Sequence, residues 1–150
     1  MRTVEIQNTD GRRTFAIVFD SGDEVADGLL TFAREQGIEG AYFTAIGAFR
    51  EATLGFWDVD RKEYRRLPVD EQVEVLSLAG NVAIEDRHGP KVHAHVVVGK
   101  ADGSAHGGHL LEARVHPTLE VILVETPRHL RRAFDPQTGL ALLQTEGQLR

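Results

Sequence analysis

The stretch that decides the fold is KVHAHVVVGKADGSAHGGH, residues 91–109. Its first half alternates between two kinds of side chain, as a β-strand with one buried face does. Apolar residues suited to a core occupy one side: Val92, Ala94, Val96 and Val98. His93 and His95 point to the other, more accessible side. Asp102-Gly103 is a hairpin turn signal that returns the chain toward His109. The stretch therefore predicts a β-hairpin with histidines on its outer face.

The number of residues between the two strands decides whether His109 reaches the same face as His95. A two-residue turn at Asp102-Gly103 would leave His109 on the face that points into the core. One extra residue in the returning strand reverses this, and a β-bulge costs least at Gly107-Gly108. We therefore predict a bulge there, with His109 across from Val97 and diagonal to His95.

Three imidazoles on one face form a metal-binding pattern. His93, His95 and His109 can supply three nitrogens to zinc or another divalent transition metal. The chain has no cysteine, so thiolate ligands are excluded. Three protein ligands leave one coordination position for water or a ligand, as in catalytic zinc sites. The competing interpretation is that these histidines are ordinary, partly buried residues that bond to the backbone. We predict the metal site.

The other candidate residues carry less information. Glu120 is a candidate carboxylate beside the metal or a general base, and equally a polar residue at the edge of the sheet. His106 lies on the same hairpin and could bind metal or carry protons, but we interpret it as a rim residue. The remaining histidines are interpreted as surface residues: His88, His116 and His129. No P-loop or Rossmann glycine pattern is present, and the sequence does not decide whether the protein is an enzyme.

One helix is predicted among many strands. Ser21 and Glu24 form a capping-box pattern, and apolar residues follow with helical spacing up to Gly37, which predicts a helix over 22–36. A short helical turn is predicted over 110–114. Strands are predicted in the following segments: 2–8, 13–19, 42–46, 52–58, 64–67, 71–78, 81–85, 91–99, 104–109 and 117–125. This pattern favours an α+β fold with a mostly antiparallel sheet and one main helix packed on it.

The domain organisation is predicted to be simple. The length of 150 residues suits a single domain over 1–150. We expect an ordered core over about 2–135, with Pro127 and Pro136 ending the order in the tail. No apolar run approaches the roughly 20 residues of a transmembrane helix, so no membrane partner is expected. The absence of cysteine suits the cytoplasm.

The charge of the chain disfavours nucleic acid as a partner. The formal net charge is −6, whereas a free-standing DNA binder usually has a basic surface, because neutralised phosphates supply most of the affinity. The basic residues occur in small groups, which we interpret as solvated rims of strands and turns: 12–13, 61–62, 65–66 and 128–132. A trimer could still collect such groups on one surface, so DNA binding is disfavoured rather than excluded.

Four segments, taken in their order along the chain, resemble the plants and prokaryotes conserved (PPC) domain: EVLSLAGN at 74–81, PKVHAH at 90–95, DGSAHGGHL at 102–110 and PTLEV at 117–121. The resemblance implies an α+β fold assembled as a homotrimer, with a metal at His93, His95 and His109 in some prokaryotic members. In plants the domain follows an AT-hook in nuclear, DNA-associated proteins. This chain has no AT-hook core, and Glu71-Gln72-Val73 stands where the plant motif has Gly-Arg-Phe. Both departures indicate the stand-alone prokaryotic type.

Three functions follow as hypotheses. We predict a homotrimer whose three-histidine site holds a metal, zinc first among the candidates, and binds a small ligand. The alternative is a DNA-associated regulatory or assembly protein, as in the AT-hook relatives. The third hypothesis is a structural trimer whose histidines only stabilise the hairpin.

Overall fold

A computed structural model describes residues 1–85 and 88–145 of the chain. The described part contains one helix and a mostly antiparallel sheet, as the sequence predicts. The elements follow in this order: β1 (Arg2–Thr9), β2 (Arg12–Asp20), α1 (Val25–Glu35), β3 (Gly40–Asp58), β4 (Glu63–Val69), β5 (Val73–Glu85), β6 (Gly89–Gly99), β7 (Ala105–Glu125), β8 (Arg131–Asp135) and β9 (Leu140–Leu143). The pair formed by β5 and β8 is parallel.

Four strands close into a ring of backbone hydrogen bonds. β3 and β7 pair along most of their lengths. β3 also pairs with β5, β5 with β6, and β6 with β7. Outside the ring, β2 and β1 extend the sheet from β7, and β4 pairs with β3. The ring fixes β6 beside the first residues of β7, and these two segments carry the histidines predicted to bind metal.

The helix packs its apolar stripe against β2, β6 and β7. The buried residues of α1 are those that the spacing predicts: Val25, Leu29, Phe32 and Ala33. Phe32 meets Phe15 of β2 edge to face, with ring centroids 5.1 Å apart. Phe15, Ile17 and Phe19 pair with buried residues of β7. Because side chains alternate along a strand, the residues between them on β7, Ile122 among them, lie on the face away from the helix.

The helix begins later than predicted. Glu24 is its N-cap, and the Glu24 side chain accepts a hydrogen bond of 2.7 Å from the backbone N–H of Asp27. Ser21 does not take part in a capping box; its hydroxyl lies 2.8 Å from Nδ1 of His116. The helix therefore spans 25–35 rather than 22–36, because a single carboxylate caps it without the serine.

Three pairs of predicted segments are single long strands, and one of these pairs, 71–78 with its predicted continuation 81–85, forms β5. Residues 42–46 and 52–58 belong to one strand, β3, and 104–109 and 117–125 belong to β7. The helical turn predicted over 110–114 is wrong. Residues 109–115 instead pair with 49–55 of β3, and Leu110, Ala113 and Val115 are buried there. Partner strands that run alongside override the weak local signal for a turn.

Regular structure continues past the core predicted over about 2–135. β8 follows Pro127, and β9 pairs with β8 beyond Pro136 in antiparallel fashion. We call β8, β9 and their turn the C-terminal hairpin, residues 131–143. Its ladder and its parallel pairing with β5 explain why the prolines do not end the order. Within the described residues, no helix is long and apolar enough to cross a membrane.

The two adjacent glycines of β7 give a matched test of packing. A Cβ on Gly108 would lie 2.9 Å from the carbonyl oxygen of Gly55 and 3.2 Å from Cβ of Leu54. A Cβ on Gly107 would lie no closer than 3.4 Å to any neighbour. We expect Gly108→Ala to lower the free energy of unfolding by about 1–3 kcal/mol, because it forces β7 away from β3. Gly107→Ala is the control and should change it far less; urea denaturation measures both. Equal losses would contradict the close approach.

Candidate metal centre

The loop between β6 and β7 sets the face on which His109 lies. The backbone N–H of Lys100 donates to the carbonyl of Ser104 at 2.8 Å, which leaves a three-residue loop over 101–103. Gly103 has a φ of +83°, the left-handed conformation that closes such a loop. The pairing of β6 with β7 then runs without a shift from Gly99 to His95. The extra residue needed for parity therefore lies in the turn.

The predicted bulge at Gly107-Gly108 is wrong. His109 lies directly across from His95, not diagonal to it, and Val97 is paired with Gly107. Gly108 serves a different purpose, since its missing side chain lets β7 approach β3 closely. The prediction that His109 lies on the same face as His95 is nevertheless correct, because the three-residue loop has the same effect as a bulge.

The three imidazoles converge on the outer face of the ring of strands. The ring centroids lie 5.1 Å apart for His93 and His95, 5.0 Å for His93 and His109, and 5.5 Å for His95 and His109. Each residue offers a nitrogen, and the three nitrogens lie within 4.8 Å of one another. His93 and His109 are half-buried, and His95 is exposed. The cluster is therefore reachable from the side of His95.

Burial keeps two of the rings neutral. The pKa of His109 is lowered to about 4, chiefly because burial disfavours the charged ring and secondly because the two neighbouring histidines and Arg132 repel a proton. The pKa of His93 is also lowered, first by burial and then by the charge of Arg132. A neutral imidazole has a free lone pair, which is the form that binds metal.

Arg132 of β8 lies against the histidines and is nearly buried, with 7% of its surface exposed. Its guanidinium donates to Oδ1 of Asn81 at 2.8 Å and to the carbonyl of Ala141 at 2.9 Å. A third contact joins the same guanidinium to Nδ1 of His93 at 3.1 Å. Because arginine can only donate, Nδ1 of His93 is the acceptor and carries no hydrogen. The proton of neutral His93 is therefore on Nε2.

Tyr64 of β4 covers the other side of the cluster. Its ring stacks on His109 with centroids 4.8 Å apart. The ring can lie there because Gly55, which pairs with His109, has no side chain; a Cβ on Gly55 would lie 2.7 Å from the Tyr64 ring. Trp57 packs edge to face on Tyr64 and donates from its indole nitrogen to the carbonyl of Thr138 at 3.1 Å. This bond ties the C-terminal hairpin to the strands that carry Tyr64.

Residues 6–127 match the Plants and Prokaryotes Conserved domain, which includes all three histidines. The chain belongs to the plants and prokaryotes conserved domain family. The PPC match ends before β8, so the C-terminal hairpin lies beyond the matched residues.

Solved structures of similar PPC proteins have the same fold. A plant- and prokaryote-conserved protein from Pyrococcus horikoshii is 34% identical with a TM-score of 0.82, and 89% of this chain and 92% of that chain are covered. A metal-containing protein from Archaeoglobus fulgidus is 38% identical with a TM-score of 0.81, covering 97% and 100%. A protein from Ralstonia eutropha JMP134 named "putative DNA-binding protein" is 32% identical with a TM-score of 0.81, covering 87% and 90%.

The curated relatives are much longer than this chain. Bifunctional protein GlmU of Synechococcus sp. (strain JA-3-3Ab) is 28% identical over 141 residues, which is 92% of this chain and 21% of that protein. The chain therefore spans about a fifth of the length of the curated relatives it matches.

The donor set of this PPC chain fits a transition metal. Three imidazole nitrogens without thiolates suit zinc, nickel or iron in the divalent state. Two buried side-chain nitrogens lack a hydrogen-bond partner within the described part of the chain, Nε of Arg132 and Nδ1 of His109. An unpaired buried nitrogen is costly, and a metal ion at the cluster is one way to satisfy Nδ1 of His109.

The other predicted candidates lie away from the cluster. Glu120 is exposed near the far end of β7, where it lines a cleft with Glu74 and three apolar side chains. His106 pairs with the buried residue Val98 and therefore lies on the other face of β7 from His109. Its side chain is exposed. The remaining histidines are exposed, as predicted: His88, His116 and His129.

Three residues of the site were not predicted from the sequence. Arg132 was assigned to a solvated basic group and is instead buried; no local signal marks it. Asn81 lies directly across from His93, so the strand pairing could have revealed it. Tyr64 reaches His109 through the pairing of β3 with both β4 and β7, which the sequence does not encode locally.

The low pKa of His109 gives a test in metal-free protein. In the unfolded chain His109 should titrate near 6.5, whereas the folded ring takes up a proton only near pH 4. The unfolded state therefore binds more protons between these values. The contribution of His109 to folding stability is fully present above about pH 6.5 and is lost as pH falls toward 4.

We expect the ring NMR signals of His109 to show the neutral form down to about pH 5. The urea-unfolded protein is the control, because its histidines should titrate near 6.5. In urea denaturation, the pH dependence between 6.5 and 4 should be shallower for His109→Asn than for the wild type. Protonation of the folded His109 ring near pH 6.5 would contradict this assignment.

Proposed function

We propose that this chain holds a divalent transition metal, zinc first among the candidates, on His93, His95 and His109 and binds a small ligand at the remaining coordination position. The observation that carries this proposal is the convergence of three imidazole nitrogens within 4.8 Å on one reachable face. The similar protein from Archaeoglobus fulgidus, which is metal-containing, supports it.

The residues around the cluster would have different roles in such a site. A bound metal would supply a Lewis acid with one position open to a ligand. Tyr64 and the C-terminal hairpin limit water on two sides, and Asn81 holds the Arg132 guanidinium beside the His93 ring. His95, being exposed, leaves the approach for the ligand.

Metal analysis of untagged protein tests the ligand assignment. We expect about one metal ion per chain in the wild type and close to none in His93→Ala and His109→Ala, because two remaining imidazoles bind far more weakly than three. His106→Ala is the matched control on the same hairpin and should keep its metal. Negligible metal in the wild type, or equal metal in all variants, would contradict the site.

We also propose that the chain assembles as a homotrimer. The support is an exposed apolar surface on the sheet face away from α1, which we call the outer apolar face. Its large side chains are exposed by 41–62%: Tyr42, Ile46, Leu76, Val97 and Ile122. Contiguous apolar surface of this kind usually mediates association. Val97 lies two residues from His95 along β6, so the outer apolar face reaches the cluster.

The assembly can be tested by light scattering after size exclusion. We expect a mass of about 50 kDa, three times the chain mass of 16.6 kDa. Ile46→Glu should reduce it to the mass of one chain, because a charge cannot be buried unpaired in an interface. Val4→Glu is the control, since Val4 is 57% exposed on the outermost strand β1. A wild-type mass near 17 kDa would contradict the trimer.

DNA association is the second candidate, supported by the name of the Ralstonia eutropha relative. The charges of this chain disfavour it. Several basic side chains are paired with acidic ones: Arg2 with Asp20, Arg13 with Glu125, Arg66 with Glu112, Lys91 with Glu85 and Lys100 with Glu71. Such pairs leave less positive charge for phosphates.

Gel-shift measurements decide the DNA candidate. We expect no retardation of duplex DNA at micromolar protein, at either low or moderate salt, because the net charge of −6 repels phosphates. A basic DNA-binding domain serves as the positive control. Retardation at low salt that weakens steeply as salt rises would favour the DNA candidate instead.

A further inference from the structure

The chemistry of the site's ligand is indicated by Arg132. Among the described residues, Arg132 is the one charged side chain that is buried. Its hydrogen-bond partners are all uncharged: Asn81, His93 and the carbonyl of Ala141. No described carboxylate lies within ion-pairing distance of Arg132. The negative charge of Glu85 favours the charged form of Arg132 from a distance, but the ion pair of Glu85 is with Lys91, at 3.4 Å.

A buried guanidinium without a counter-ion is energetically costly. Arginine stays charged in proteins, so the cost is not relieved by loss of a proton. Of the five N–H groups of Arg132, three have acceptors, and Nε is buried with none. Within the described part of the chain, the guanidinium therefore has an uncompensated charge and unused donor capacity beside the three histidines.

Metal binding would remove one of the three acceptors. A neutral imidazole has one lone pair, and in His93 that lone pair accepts from Arg132. A metal ion takes this lone pair whichever nitrogen it binds, because the other nitrogen then carries the hydrogen. One N–H of Arg132 loses its acceptor at the moment when a divalent charge arrives next to it.

We propose that the metal-loaded site takes a small oxyanion, one oxygen of which binds the metal while another accepts from Arg132. The ligand's negative charge offsets both the metal and the guanidinium, and its oxygen replaces the lost imidazole acceptor. The planar fork of arginine suits carboxylate and phosphate oxygens equally, so both sources share this chemistry. The inference rests on the proposed metal site and adds the class of its ligand.

The test uses full-length protein loaded with Co²⁺, whose visible spectrum reports on metal ligands. Acetate and inorganic phosphate are titrated separately, and acetamide serves as the neutral analogue of acetate. We expect at least one oxyanion to change the spectrum at concentrations where acetamide does not. A response to acetate alone indicates a carboxylate ligand, and a response to phosphate alone indicates a phosphate ligand.

Substitution of Arg132 tests the role of the guanidinium. Arg132→Gln should weaken oxyanion binding by about tenfold or more, with the Co²⁺ content unchanged. Arg132→Lys should keep part of the affinity, because it keeps the charge but not the fork. Arg131→Gln is the matched control, since Arg131 is the exposed neighbour on the same strand, and it should bind as the wild type does.

The outcomes separate the two proposals. Wild-type protein that binds Co²⁺, but whose spectrum neither acetate nor phosphate changes more than acetamide does, overturns the oxyanion inference and leaves the metal site standing. Wild-type protein that binds no metal overturns both. If Arg132→Gln fails to fold, the comparison of acetate and phosphate with acetamide in the wild type and the Arg132→Lys titration still decide. Unchanged affinity in folded Arg132→Gln overturns the inference.

Discussion

The site depends on the odd number of residues in the loop that joins β6 to β7. Three residues over 101–103 bring His95 and His109 to the same face and directly opposite each other. A loop one residue shorter would turn every side chain from 105 to 109 to the other face. The ring formed by β3, β5, β6 and β7 holds this register, because a slip would break its ladders. The convergence of the imidazoles is thus a property of the backbone.

Local patterns in the sequence predict the elements and the faces, and long-range pairing decides the rest. The alternation over 91–99 correctly indicates which side of β6 is buried, and helical spacing identifies the stripe of α1. The lengths of β3 and β7 could not be predicted. The two strands pair with each other through segments whose local strand signal is weak, and this pairing keeps both strands continuous. The bulge predicted at Gly107-Gly108 was wrong because the turn type was assigned as the two-residue form, and Asp102-Gly103 also fits a three-residue loop.

The surroundings of the histidines come from parts of the chain that are distant in sequence. Tyr64 arrives from β4, Asn81 from β5 and Arg132 from β8. Each depends on a pairing that no local pattern reveals, so sequence reasoning found the three imidazoles but not their environment. That environment lowers the pKa values of His93 and His109 and leaves Nδ1 of His109 without a hydrogen-bond partner among the described residues. These are properties expected of a ligand set and not of surface histidines.

The C-terminal hairpin divides the site between two segments of the chain. The imidazoles lie within the residues that match the family, whereas the guanidinium lies beyond residue 127. Substitutions in 131–143 can therefore alter the charge next to the cluster without touching the residues that form it. The imidazoles and the charge beside them are therefore encoded by separate stretches of sequence, so either can be substituted while the other is kept.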